Sequence, residues 1–279
     1  MKKTFMLCMT RVLKFTPLFM REFLVKVSGN IWFYVSSERR EVVKENLTAI
    51  LGKAGKKDIK KVFINFMRVY SDILNVPNMS RSYLHSIIDL DGKHYIKEEL
   101  KKGKGLILVS CHLGGMELAG IYIASLGFPI HSVAESEGPG KDFFDFYKKY
   151  RGRFGSNLLP LESKSLPFRL IRVLKKNEIV VLVGDRDIAN SGATCEFFNR
   201  KASIPEGPAY LSKKTGAPIL VGVLGLGKGG KRYSGKTFPP VYPEDFNSSD
   251  EILKKIIMLM EKGIRMYPLQ WFVFQRIWK

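Results

Sequence analysis

The segment Ser110-Cys111-His112-Leu113-Gly114-Gly115-Met116-Glu117 places an imidazole and a carboxylate five residues apart around a glycine pair. On one continuous helix, at about 100° per residue, that spacing would set the two side chains about 140° apart. His112 is therefore expected on a strand-to-helix turn, with Glu117 in the first helical turn reaching back and Gly114-Gly115 making the turn sterically possible. So arranged, the carboxylate accepts a hydrogen bond from one ring nitrogen, fixes the tautomer and leaves the other nitrogen free to take a hydroxyl proton. The helix N-terminus disfavours imidazolium at rest, and Glu117 stabilises it once the proton has moved. A neutral base beside a waiting carboxylate suits acyl transfer from a thioester to an alcohol. The same pair would equally serve as a helix cap and a first-turn charge, and a His-x4-Glu match alone does not separate the two readings.

Other reactive types stand nearby. Cys111 precedes His112, but adjacent residues at a strand end point to opposite faces, so the pair is poorly placed as a dyad and Cys111 reads as core. Gly184-Asp185-Arg186-Asp187 follows a second apolar run and sets charged groups on the same sheet edge as His112. Glu196-Phe197-Phe198-Asn199-Arg200-Lys201 and Pro205-Glu206-Gly207-Pro208-Ala209 read as exposed aromatics, cations and a Pro-Gly turn opening a helix, a mixture that fits an acyl or headgroup site. Gly225 to Lys231 matches Gly-x4-Gly-Lys, yet Arg232 stands where a phosphate-binding loop needs Ser or Thr, so a glycine-rich turn between strands is expected. His85, His94, His112 and His131 have no metal-ligand spacing among themselves or with cysteine, and no metal is implied.

These groups need elements to carry them. Leu106-Ile107-Leu108-Val109, Ile179 to Val183 and Pro218 to Leu224 are short apolar runs of the kind buried on both faces of a sheet. Helical patterns separate them at about 115–125, 166–176 and 208–215. Strand-helix alternation predicts an α/β fold with a mixed, largely parallel central sheet flanked by helices. Upstream, Phe5, Met9, Val12, Phe15, Phe19 and Phe23 recur at three- and four-residue steps opposite Lys14 and Arg21, an amphipathic pattern broken near Pro17. That face suits a helix lying in a lipid headgroup layer or one packed on the protein's own core. Further helices are expected from Ser36-Ser37-Glu38 to Leu51, stopped by Gly52, and over about 57–74. Residues 1–80 thus read as a helical, membrane-surface extension and 81–279 as the α/β domain, in one compact unit.

Composition narrows the partners. The 279 residues carry 46 Lys+Arg against 26 Asp+Glu, a net +20 that favours an anionic membrane, nucleic acid or an acidic protein. A basic nucleic-acid-binding protein, the reading from another class, should interleave exposed aromatics with cations on one face, whereas here the aromatics follow apolar stripes. Cys8, Cys111 and Cys195 show no disulfide or zinc spacing and fit a reducing compartment. Arg11 and Lys14 interrupt the N-terminal apolar run, and no stretch approaches the roughly 18 uncharged apolar residues that span a bilayer.

Taken in order, the motifs become specific: His112-x4-Glu117, Arg153 within Arg151-Gly152-Arg153-Phe154, Gly184-Asp185-Arg186-Asp187, and Phe197-Phe198 through Pro205-x-Gly207-Pro208-Ala209 to Lys214-Thr215-Gly216-Ala217-Pro218. With Arg40-x2-Val43-x2-Asn46-Leu47 near the start and Glu261-x3-Arg265-x2-Pro268-x-Gln270-Trp271 near the end, the chain resembles the bacterial late acyltransferases of lipid A biosynthesis, within the lysophospholipid acyltransferase superfamily. The resemblance implies His112 as general base with Glu117 as its partner, and Arg153, Asp185, Arg186, Gly207 and Pro208 on the substrate side. It implies transfer from acyl-carrier protein or acyl-CoA, used as co-substrate without a separate cofactor, to a glycolipid hydroxyl at the cytoplasmic face of the inner membrane. Attachment there would be peripheral or shallow, through the N-terminal helices, with no nucleic acid as partner. Glu206 in Pro-Glu-Gly matches the Glu-Gly-Thr-Arg block of the phospholipid branch only in part, which disfavours a lysophospholipid or glycerol-phosphate acceptor; Asp185 is the better positional counterpart.

Overall fold

The computed structural model describes residues 2–136, 141–227 and 230–279, with the side chains of 2–5 and 143 outside that description. The N-terminal part is helical: α1 (Lys2–Phe15), α2 (Leu18–Val35), α3 (Ser37–Leu51), α4 (Lys56–Asn75) and the short α5 (Arg81–Ile87). Pro17 breaks α1 from α2 as its missing N–H and fixed ring require, and Gly52 ends α3 in the left-handed region at φ 78°. Then follow β1 (Ile88–Asp91), α6 (His94–Lys101), β2 (Leu106–Ser110), α7 (Met116–Ser125), β3 (Ile130–Ala134), α8 (Lys141–Gly152), β4 (Ser156–Pro160), α9 (Leu166–Lys175) and β5 (Ile179–Val183). The chain closes with a hairpin of β6 (Ala193–Phe197) and β7 (Arg200–Ile204), then α10 (Gly207–Thr215), β8 (Ile219–Leu226), β9 (Tyr233–Thr237) and α11 (Ser249–Met266).

Seven strands form one sheet in the order β1-β9-β8-β2-β5-β3-β4. The three apolar runs of the sequence are its central strands β8, β2 and β5, parallel to one another, with β3 and β4 parallel beyond them. Only β9 against β8 is antiparallel, so the sheet is mixed and largely parallel, as the strand-helix alternation requires. One core layer packs α9, α10, α11 and the hairpin against one face of the sheet, and a second packs α4 to α7 on the other. A third cluster joins Phe33, Leu47, Val62 and Phe63 of the N-terminal helices to Phe272 and Phe274 of the C-terminal tail.

The register between β2 and β5 positions the chemistry. Ser110 lies opposite Val183, and the Gly184 N–H donates to the Ser110 carbonyl at 2.9 Å, so the pairing runs on past both strand ends. His112 and Asp185, each two residues beyond its strand, therefore emerge side by side at the carboxyl edge of the sheet, where open α/β folds build their sites.

Candidate active site

The turn that carries His112 is shaped by its glycines and fastened by the tail. Gly114 adopts φ +51°, and a β-carbon there would collide with the Leu224 carbonyl oxygen and the Gly225 backbone. The Gly115 N–H donates to Leu224 at 2.7 Å, the Gly114 N–H to the Gln270 carbonyl at 2.9 Å, and the Phe272 N–H to the His112 carbonyl at 2.7 Å. Leu113 and Trp271 form an isolated antiparallel bridge, so the tail is held along the site.

Asp185, not Glu117, is the partner of His112. The imidazole Nδ1 lies 2.7 Å from Asp185 Oδ1, while Oδ2 accepts from the His112 backbone N–H at 2.8 Å and from the Trp271 indole at 2.7 Å. A carboxylate only accepts, so Nδ1 carries the proton and Nε2 is left as the basic nitrogen facing the cavity. Asp185 is fully buried. Burial opposes its ionisation, but the charge and hydrogen bonds of His112 and the Trp271 bond outweigh that cost and hold the carboxyl below its ordinary range. The pair thus has the geometry of a carboxylate-oriented imidazole, with the tautomer set by the sheet register.

Glu117 lies in the first turn of α7, as its spacing predicts, but its carboxylate is taken by Arg151 in the last turn of α8. The expected reach back to His112 is overturned because Asp185 already occupies Nδ1, and Arg151 is nearly buried and requires a counter-ion. Burial pushes the Arg151 guanidinium down to about 10, which leaves it cationic at neutral pH. Arg153 does not line the site: it is exposed and donates to the Pro77 carbonyl at 2.6 Å, whereas Arg151 lines the cavity with Tyr147, four residues earlier on the same helical face.

The cavity that begins at His112 measures about 610 Å³. Leu158, Leu161, Leu166, Leu170, Leu182 and Leu211 make much of its wall, and His112, Glu117, Arg151 and Arg186 supply the polar end. Glu206, Gly207 and Pro208 are in its wall. Pro167, Gly207 and Tyr210 both line the cavity and face solvent, so it opens between the starts of α9 and α10. Arg186 stands 3.7 Å from Glu135, and the Nε atoms of Arg151 and Arg186 are buried without a hydrogen-bond partner among the described residues. Asp187 instead accepts from Ser191, Gly192 and Ser203 and ties its loop to the hairpin.

Several other expectations resolve here. Phe197 and Phe198 are buried, not exposed: they pack around Trp271 and so support the floor under Asp185. Cys111 is core, its thiol pushed up by burial and by the Asp185 charge. The glycine-rich turn lies between β8 and β9, with residues 228–229 outside the described residues. Two participants escaped the sequence reading, Arg151 and the Trp271 indole. The i,i+4 pairing of Tyr147 with Arg151 was the signal for the first; the second depends on a contact 86 residues apart in the chain.

The family model described as bacterial lipid A biosynthesis acyltransferase matches residues 3–279. Among curated proteins, the chain is 27% identical over 250 residues to a phosphatidylinositol mannoside acyltransferase of Mycolicibacterium smegmatis, covering 85% of this chain and 79% of that protein. It is 25% identical over 220 residues to one of Mycobacterium tuberculosis, covering 77% and 68%. A solved structure, the 1-acyl-sn-glycerophosphate acyltransferase of Thermotoga maritima, aligns with a TM-score of 0.45 at 16% identity, covering 91% of this chain and 99% of that one.

Proposed function

The chain belongs to the bacterial lipid A biosynthesis acyltransferase family and is an acyltransferase, and we propose that it moves a fatty acyl chain from a thioester to a sugar hydroxyl of a glycolipid. The observation that carries this reading is the His112–Asp185 pair at the polar end of a long apolar cavity. Acyl methylenes gain by leaving water for such a wall, at about 0.8 kcal/mol each, and an acyl chain lying along it would bring its thioester carbon to the base. His112 Nε2 takes the proton of the acceptor hydroxyl as its oxygen attacks the thioester carbonyl. Asp185 stabilises the imidazolium so formed, without itself being protonated. The tetrahedral intermediate collapses by breaking the carbon–sulfur bond, and the imidazolium returns the proton to the departing thiolate. The unpartnered Nε donors of Arg151 and Arg186 are positioned to hold substrate oxygens, and Glu117 keeps Arg151 in place.

The donor thioester is carried by acyl-carrier protein or by CoA, and the acceptor is a lipid A-type glycolipid or, by analogy with the relatives, a mannosylated phosphatidylinositol. The protein works at the cytoplasmic face of the membrane. Phe15, Phe19 and Phe23, which could have packed inward, are 80%, 74% and 66% exposed, and this supports a lipid-facing α1–α2 surface. No helix of the described residues is long and apolar enough to cross a membrane, so shallow insertion is the mode proposed. The test is mass spectrometry of lipids after incubation with each thioester and each acceptor in vesicles. A glycolipid gaining one acyl mass is expected; acylation of lysophosphatidate alone would overturn the acceptor class.

A further inference from the structure

A second concavity, of about 490 Å³, shares no lining residue with the acyl cavity. It lies where α1 breaks into α2, against the turn that follows α4. Lys14, Arg21, Asn78 and Tyr83 are in its wall, and no carboxylate is. A third cation, Arg153, is not in the wall but donates from Nη1 to the carbonyl of Pro77, a wall residue, at 2.6 Å.

The three cations have no acidic partner among the described residues. Glu22, next to Arg21 in the chain, is committed instead to Arg68 and Arg232. Arg21 spends only its Nε, on the Thr16 carbonyl at 3.3 Å, and Lys14 Nζ stands 5.5 Å over the Phe15 ring. Asn78 is fixed by donating to Thr10 and Asn75, so the wall is pre-shaped. Like charges held together without a counter-ion repel, and a bound anion relieves that cost. Guanidinium groups presenting spare N–H donors match phosphate oxygens best. The pocket's height supplies the source. Phe15, Leu18 and Phe19, exposed beside it, belong to the surface that the proposed function lays in the lipid, so the cations stand where headgroup phosphates lie, just above the acyl layer.

We infer that this pocket binds the phosphate of an anionic lipid headgroup and thereby orients the enzyme on the bilayer. The inference rests on the reading of α1–α2 as the lipid-facing surface. It also accounts for Arg153, a motif residue that the acyl cavity does not use.

The experiment is co-sedimentation with phosphatidylcholine vesicles and with vesicles also containing phosphatidylglycerol. The wild-type protein should prefer the anionic vesicles by about tenfold or more, and Lys14→Gln/Arg21→Gln/Arg153→Gln should fall to its phosphatidylcholine level. A control triple on the exposed face of α9, Arg169→Gln/Arg172→Gln/Lys175→Gln, should keep the preference. Equal loss in both triples would mean diffuse charge attraction and would overturn the pocket, as would a preference retained in the pocket triple. A melting temperature raised by inorganic phosphate in the wild type alone, without any vesicle preference, would reassign the site to free phosphate. Wild-type protein that ignored both vesicles would overturn the membrane reading and this inference together, whereas the other outcomes test the pocket alone.

Discussion

Asp185 accepts from three donors, and this decides what substitutions at the dyad do. Asp185→Asn replaces an acceptor-only group by one that must present N–H to a donor, which turns the His112 tautomer and breaks at least one bond. Turnover should fall by roughly 10²-fold or more while KM for the thioester changes little. A KM effect alone would make Asp185 a binding group. The same residue sets a pH dependence of stability. Its carboxyl is held low in the folded protein, so the unfolded chain, with an ordinary value near about 3.9, protonates first as pH falls. The stability it contributes is therefore fully present above about pH 4 and is lost as pH drops through the lower folded value. The melting-temperature gap between wild type and Asp185→Asn should narrow in acid, and a gap that widened there would reverse the argument. His112→Ala should lower turnover by about 10²–10⁴-fold and also lower the melting temperature, since the fully buried Asp185 loses the group that does most to keep it ionised and retains only two donors. Unchanged turnover would remove His112 as the base.

At the scale of elements, α7 and α8 are joined at the site by the Glu117–Arg151 pair. Glu117→Gln strands a nearly buried cation and should destabilise the protein by about 3–5 kcal/mol, whereas adding Arg151→Gln should recover much of that loss. Equal melting temperatures for the single and double variants would show that the pair is not coupled. This pairing also shows what the sequence conceals. The central strands were legible because β8, β2 and β5 are buried on both faces and must be continuously apolar. The two strands beyond β8 were not, because the edge strand β1, half-exposed, alternates Ile-Asp-Leu-Asp and its neighbour β9 contains Gly235 and Lys236. The hairpin was missed since its turn uses Phe198 and Asn199 at φ 50° and 57°, a conformation that no Gly announced and that carries both aromatics inward. Spacing located His112 and Glu117 on their turn and helix correctly. It could not choose between two carboxylates, because that choice depends on the register of β2 against β5, a long-range property.

Across the whole molecule, the proposed membrane attachment would draw on both the net +20 and the apolar α1–α2 surface. Charge acts on an anionic surface over a Debye length, but would hold the protein only weakly once salt is present. Apolar side chains act at contact and are insensitive to salt. The two contributions can therefore be separated. Each phenylalanine buried in the interface is worth about 1.5–3 kcal/mol, so Phe15→Ser/Phe19→Ser/Phe23→Ser should lower vesicle partition by roughly two orders of magnitude or more. The residual binding of that variant should be almost wholly abolished by added salt, whereas wild-type binding should fall only in part. Its melting temperature should stay near that of the wild type, because the three rings already face solvent in the free protein. Turnover of a micellar glycolipid should fall with partition while turnover of a soluble, short-chain acceptor is preserved, since the His112 turn is fastened by β8 and the C-terminal tail and not by the break between α1 and α2. A loss on both acceptors alike would place those aromatics in the folding of the site, and membrane contact would then have to be sought elsewhere on the surface.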